Sequence, residues 1–211
     1  MKVDSIIFDL DGTLWDATYS ILEVWNNILE NKYKELNRVI TIDEIQGVMG
    51  LTSEEIAKRL IPNINEEESL RIFYECAEEE CNYLRIHGGK LYDGIEEVLR
   101  TLSKKYKLFI VSNCQEGYIE AFLEAHKLEK YFIDFENYER TGLSKAKNIK
   151  LIIERNNLKN PIYIGDTEGD MKAAKIADIP FVYAKYGFGS VLNYDYSINS
   201  FDELIGIKFS K

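Results

Sequence analysis

Phe8-Asp9-Leu10-Asp11-Gly12-Thr13 sets two carboxylates two residues apart and follows them at once with a glycine. The stretch comes straight after an apolar run, so it reads as a turn at the end of a strand. Glycine there lets the backbone come close to an anion, which makes Gly12 a candidate phosphate contact. A carboxylate attacks phosphorus poorly unless the phosphoryl charge is neutralised and the attack is in line. Mg²⁺ supplies that neutralisation and takes a few carboxylate oxygens together with water and substrate oxygens. The competing readings are an acidic turn without chemistry and a calcium loop. The calcium loop fails on spacing, because its glycine belongs three residues beyond the second acid and Gly12 follows immediately.

A second acidic turn, Gly165-Asp166-Thr167-Glu168-Gly169-Asp170, follows the apolar run 162–164. Burying two acids side by side is costly unless a cation pairs with them. Helix capping would account for one of Asp166 and Asp170 but not for the whole cluster. Ser112-Asn113 ends another apolar run and offers a hydroxyl and backbone N–H groups to a phosphoryl oxygen. The same pair is also ordinary turn chemistry. Lys145, in Thr141-Gly142-Leu143-Ser144-Lys145, adds a cation, although a lone lysine is by default a solvated surface residue.

These turns need a scaffold. Apolar runs at 3–8, 107–111, 131–135, 162–164 and 181–184 read as buried parallel strands. Helical patterns at 95–102, 118–126, 149–156 and 171–177 alternate with most of them. The fold class is therefore α/β, a doubly wound parallel sheet with right-handed crossovers. In such sheets ligands bind beyond the carboxyl ends of the strands, which is where Asp9, Ser112, Lys145 and Asp166 all fall. Four separate turns converging on one crevice by chance is a poor explanation.

Residues 16–87 break the alternation with helical periodicity alone. Ile21, Val24, Trp25, Ile28 and Leu29 form one apolar face. Thr52-Ser53-Glu54-Glu55 and Asn65 followed by three glutamates read as helix starts. A long helix over 66–86 is ended by Gly88-Gly89. The expected organisation is an α/β core of 1–15 and 88–211 with an inserted all-α cap over 16–87. That insert is a candidate lid, hinged after Asp16 and at His87-Gly88-Gly89.

The bulk properties narrow the partners. The chain has 211 residues, 45% hydrophobic and 29% charged, with a net charge of −10. Such a balance argues against nucleic acid or an anionic membrane as partner and leaves a small phosphorylated metabolite open, given a metal or local cations. Cys76, Cys81 and Cys114 contain no CxxC pair and give no disulfide framework. A reducing, cytoplasmic location is expected, with Cys76 and Cys81 as buried core thiols. Ile6-Ile7-Phe8 is broken at once by Asp9, so the N-terminus does not read as a signal peptide, and no apolar stretch approaches the ~20 residues a membrane span needs. His87 and His126 are too isolated for a metal or triad site.

Taken in order along the chain, these motifs resemble the haloacid dehalogenase superfamily of phosphohydrolases. Asp9-Leu10-Asp11-Gly12-Thr13 looks like its first motif, Ser112 its second, Lys145 its third, and Gly165-Asp166 with Asp170 its fourth. The helical insert after the first motif resembles that of the phosphoglycolate phosphatase-like branch. The resemblance implies a sheet order of 3-2-1-4-5 and a Mg²⁺ cofactor. It implies Asp9 as nucleophile and metal ligand, and Asp11 as general acid and then base, with its backbone carbonyl on the metal. Ser112 and Lys145 would hold the phosphoryl group, Asp166 would ligate the metal, and Asp170 would support the metal shell or Lys145. Asp11 must then hold a proton near neutrality, which adjacent carboxylates favour.

The chain departs from the family pattern in one place: Ala146 stands where many relatives have proline after the third-motif lysine, so Lys147 is a rival to Lys145. Lys145 is preferred because it lies nearer the strand end. The insert is expected to set specificity, with Thr52 either contacting substrate or capping the next helix. The resemblance leaves a phosphoglucomutase-like phosphoryl transferase and a non-catalytic phospho-ligand binding protein as alternatives. A metal-free dehalogenase has no use for Asp11. A receiver domain is about half as long, and Gly88-Gly89-Lys90-Leu91 lacks the spacing of a phosphate-binding P-loop.

Overall fold

The computed structural model describes residues 3–207 and 209. Its centre is β1 (Ser5–Phe8), every residue of which is buried. Side chains alternate across a strand, so Ile6 and Phe8 join one apolar cluster while Ile7 joins another on the opposite face. A strand buried on both faces reads as a continuous apolar run, which is why this one is visible in the sequence.

Around β1 a six-stranded, all-parallel sheet forms from β4 (Lys107–Ser112), β5 (Asp134–Asn137), β6 (Pro161–Gly165), β7 (Phe181–Ala184) and β8 (Tyr196–Ile198). The order is β5-β4-β1-β6-β7-β8. Counting only these strands, that is 3-2-1-4-5 with a sixth strand added at one edge. β1 lies between β4 and β6, with Ile6 opposite both Leu108 and Ile162. Helices α5 (Ile95–Leu102) and α6 (Tyr118–His126) cover one face, and α8 (Lys145–Arg155) and α9 (Glu168–Ala177) cover the other.

Three elements differ from the sequence expectation. The strand expected at 131–135 lies at Asp134–Asn137, while Glu129–Tyr131 is a 3₁₀ turn. This edge strand is polar, and its acids are tied to arginines: Arg155 to Asp134 at 2.8 Å and Arg140 to Glu136 at 2.7 Å. Its pairing therefore leaves little apolar signal. β8 was not expected for a related reason, since it has only three residues and sits at the other edge. The third is a two-stranded antiparallel ribbon of β2 (Trp15–Asp16) and β3 (Lys90–Leu91), too short to carry a pattern.

Between β2 and β3 lie four helices: α1 (Thr18–Lys32), α2 (Ile42–Gln46), α3 (Ser53–Leu60) and α4 (Glu66–His87). The ribbon pairs the point where the chain leaves the sheet layer with the point where it returns. Within the insert, α1 buries the expected face of Ile21, Val24, Trp25, Ile28 and Leu29. α4 packs against α1 and α3, and across to α6 of the core. Asn65 caps α4 by accepting from the Glu68 N–H at 2.8 Å. Gly88 ends that helix at φ +70°, a left-handed conformation that glycine tolerates best. Cys76, Cys81 and Cys114 are free and buried. Among the described residues no helix is long and apolar enough to cross a membrane.

Candidate active site

Asp9 is placed by the sheet itself. Its N–H donates to the Ile164 carbonyl at 2.8 Å, continuing the β1–β6 ladder by one residue, and its carboxylate is 2% exposed. Lys145 opens α8, and its Nζ lies 3.0 Å from Asp9 Oδ1 and 2.6 Å from Asp170 Oδ1. Lys147 is exposed, as expected two positions further round a helix that buries Lys145. Of the two lysines, Lys145 is the one that reaches Asp9 and Asp170.

Asp166 follows β6 and is fully buried. Its Oδ2 accepts from the Phe188 N–H at 2.7 Å, while its Oδ1 is buried with no hydrogen-bond partner. Carboxylate oxygens of Asp9, Asp166 and Asp170 all lie within 4.8 Å of one another. Such close approach depends on missing side chains. A Cβ on Gly12, at φ +75°, would stand 2.2 Å from Asp166 Oδ2, and one on Gly187 would stand 2.3 Å from Asp166 Cβ. Asp170 is the most fully engaged of the three. Besides Lys145 on Oδ1, its Oδ2 accepts from the Thr167 N–H at 2.9 Å and the Thr167 hydroxyl at 2.6 Å.

Among the described residues, three buried carboxylates thus share a single ammonium. Burial and the neighbouring Asp170 push Asp9 up to about 6, against the opposing pull of Lys145. Burial, then Asp170 and Asp9, push Asp166 well above the usual carboxylate range. Burial alone would lower Lys145, but Asp170 and Asp9 outweigh it and hold the ammonium charged. Uncompensated buried charge costs several kcal/mol per ion. A hard divalent cation on oxygen donors would relieve it, and the orphaned Asp166 Oδ1 is a ready ligand. The residues therefore fit a hard divalent cation.

Asp11 points away from that cluster. Its Oδ1 accepts from Trp15 Nε1 at 2.9 Å and from the Tyr118 hydroxyl at 2.8 Å. Burial pushes it up to about 8, opposed by the Tyr118 hydrogen bond and assisted by Asp9 and Glu80. Neighbouring carboxylates do favour the proton, as expected from the sequence, but desolvation is the larger cause. Ser112, at the end of β4, is buried beside these acids and lines the same cavity. Asn113 follows it and donates Nδ2–H to the Gly50 carbonyl of the insert at 3.0 Å, so its side chain latches the two layers together.

The sequence of these features matches the family of haloacid dehalogenase-like hydrolases over residues 6–184. The chain belongs to this family. It is 29% identical to a pyrophosphatase PpaX of Listeria innocua over 84% of this chain and 81% of that protein. It is 24% identical to a phosphoglycolate phosphatase of Photobacterium profundum over 96% of this chain and 94% of that one. In three dimensions it resembles a predicted phosphatase from Clostridium acetobutylicum, with a TM-score of 0.79 at 25% identity over 98% of both chains.

In this haloacid dehalogenase-like hydrolase the insert closes over the acids and leaves a cavity of about 40 Å³. Asp9, Asp11 and Ser112 form its floor; Trp25, Leu51, Phe73 and Glu80 of the insert contribute to the wall. Thr52 is the N-cap of α3, where Glu55 Oε2 accepts from its N–H at 3.1 Å and its hydroxyl at 3.3 Å. Its neighbours Leu51 and Ile56 line the cavity, while Thr52 is not among the lining residues. A larger cleft of about 340 Å³ beside Ala57, Ile61 and Leu70 holds none of the predicted site residues.

Several participants were not singled out from the sequence. Trp15, Tyr118, Glu80 and Gln115 reach the site from positions with no local motif. The loop after β7 was more legible: Gly187-Phe188-Gly189 is another glycine-rich turn at a strand's carboxyl end, and it wraps Asp166. Tyr186 anchors that loop by donating to the Thr13 carbonyl at 2.8 Å.

Proposed function

We propose that the chain is a Mg²⁺-dependent phosphatase that hydrolyses a small phosphate monoester through an aspartyl-phosphate on Asp9. One observation carries this reading: Lys145 bridges Asp9 and Asp170 beside an Asp166 whose Oδ1 lacks any partner. A nucleophilic carboxylate, a phosphate-binding ammonium and a vacant oxygen ligand thereby share one buried crevice.

In this mechanism Asp9, Asp166 and the Asp11 backbone carbonyl would hold Mg²⁺, which when bound would supply charge neutralisation for the phosphoryl oxygens. Lys145, the Ser112 hydroxyl and the backbone around Gly12 and Asn113 bind those oxygens and orient the phosphorus toward Asp9. Asp9 attacks in line. Asp11, kept protonated near neutrality, gives its proton to the departing alcohol oxygen and then takes one from the water that cleaves the aspartyl-phosphate. Asp170 holds Lys145 in place. The insert over 16–87 acts as the cap of a core made of 1–15 and 88–211, and its closure excludes bulk water. The substrate is a small phosphorylated metabolite, and the three free thiols suit a reducing cytoplasm.

The test is a phosphate-release screen over monoesters, with Mg²⁺ and with chelator, using Asp9→Asn as control. Turnover that survives Asp9→Asn would overturn the reading.

A further inference from the structure

We propose that Glu80 forms a subsite, in the cap wall above Asp9 and Asp11, for a positively charged group on the leaving alcohol, so that the preferred ester is a small phosphorylated amino alcohol. The inference deepens the phosphatase reading and rests on it.

Glu80 is a carboxylate on α4 that is only 4% exposed, yet it lines the cavity over the catalytic acids. Its Oε2 accepts from Trp25 Nε1 at 2.6 Å and its Oε1 from Gln115 Nε2 at 2.9 Å. Both donors are neutral. Among the described residues Glu80 makes no salt bridge, and the cavity lining contains no lysine, arginine or histidine. The two hydrogen bonds fix the carboxylate's orientation without cancelling its charge, and an isolated buried carboxylate is expensive. Burial accordingly pushes Glu80 up to about 7.

A substrate ammonium would supply the missing partner. Trp25 and Phe73 stand in the same wall, their rings edge to face with centroids 5.6 Å apart. The rest of the wall includes apolar Ile21, Val48 and Leu51 and neutral polar Asn113 and Gln115, with no cationic side chain for a second anion. A glycolate carboxylate or a second phosphate would face the Glu80 carboxylate with no lysine, arginine or histidine in the lining, and like charges at such a site repel. The cavity, about 40 Å³, has space for only a few water molecules, so the linker between phosphate and ammonium is short. In the reaction the P–O bond to the amino alcohol breaks, the alcohol leaves with the Asp11 proton, and water's oxygen ends on phosphate.

Phosphate release by wild-type enzyme with Mg²⁺ should be compared for O-phosphoethanolamine, its neutral isostere n-propyl phosphate, phosphoglycolate, pyrophosphate and p-nitrophenyl phosphate. The expected kcat/KM for O-phosphoethanolamine exceeds that for n-propyl phosphate and phosphoglycolate by roughly tenfold or more, and Glu80→Gln narrows the gap to about threefold or less. The wild-type ratio for the two isosteric esters decides the matter even where Glu80→Gln does not fold. If n-propyl phosphate or phosphoglycolate is turned over as well as O-phosphoethanolamine, the subsite is refuted and the phosphatase reading stands. Should no ester, p-nitrophenyl phosphate included, release phosphate, both fall together.

Discussion

Tyr118 donates its phenolic hydrogen to Asp11 Oδ1 over 2.8 Å, although 107 positions separate the two residues. With Trp15 Nε1 on the same oxygen, the carboxyl is gripped on one side, and in the proposed mechanism Oδ2 carries the proton to the leaving group. A donor to a carboxylate stabilises its charged form, so this bond holds Asp11 lower than burial alone would. Tyr118→Phe should therefore move the alkaline limb of the pH–kcat profile, which falls where Asp11 loses its proton near 8, to higher pH. A profile unchanged in position would show that Asp11 is not the titrating acid.

Among the described residues Lys145 is the only ammonium in contact with Asp9 and Asp170, so its removal strands them. Lys145→Met should cost about 3–5 kcal/mol of stability in the metal-free protein, as expected for breaking a buried ion pair, and should abolish turnover. Lys147→Ala, at an exposed position, should stay within about 0.5 kcal/mol and keep activity. Urea denaturation alongside phosphate release distinguishes the two lysines.

Divalent metal should act on stability as well as rate. Mg²⁺ at a hundred times its Kd should stabilise the folded chain by about 2.7 kcal/mol, a rise in Tm of roughly 5–10 °C for a chain of this size. Asp166→Asn, which replaces the carboxylate bearing the orphaned oxygen, should abolish most of that rise. An equal Mg²⁺ shift in the variant would place the metal elsewhere.

The pH dependence of the metal-free protein has a definite sign. Asp9, Glu80 and Asp11 are raised to about 6, 7 and 8, each chiefly by burial. Across the interval above the ordinary carboxylate range the folded state binds more protons than the unfolded one, so unfolding free energy falls as pH rises. The contribution of these groups is complete below the unfolded carboxylate pKa and is lost as pH climbs through 6 to 8. Chemical denaturation in chelator should show stability decreasing from pH 5 to pH 8.5, with Glu80→Gln flattening the curve near 7. A curve rising across that interval would contradict the burial argument.

Asp9→Asn keeps the shape of the proposed nucleophile and removes its reactivity. Phosphate release should drop by at least about a thousandfold, while Ser112→Ala, which removes one of several oxygen-binding groups, should lose roughly ten- to a hundredfold. Comparable losses in both would leave Asp9 as a mere phosphate contact.

The local grammar of the chain was enough to locate the acids and order them. Apolar runs buried on both faces announce β1, β4, β6 and β7, and Asp9, Ser112 and Asp166 follow or end them directly. A strand whose neighbours are apolar on both sides has to be apolar itself, so sequence alone exposes it. The polar edge strand β5, the three-residue β8 and the ribbon of Trp15–Asp16 with Lys90–Leu91 have no such constraint, and only pairing in space defines them. The same division runs through the site. The spacing of Asp9, Asp11 and Gly12 is a property of a few consecutive residues. The proton affinity of Asp11, the grip of Tyr118 and the unpaired charge of Glu80 depend on which distant segments exclude water and which donors arrive with them. Burial and long-range contact are sums over the whole fold, and no stretch of sequence carries them by itself.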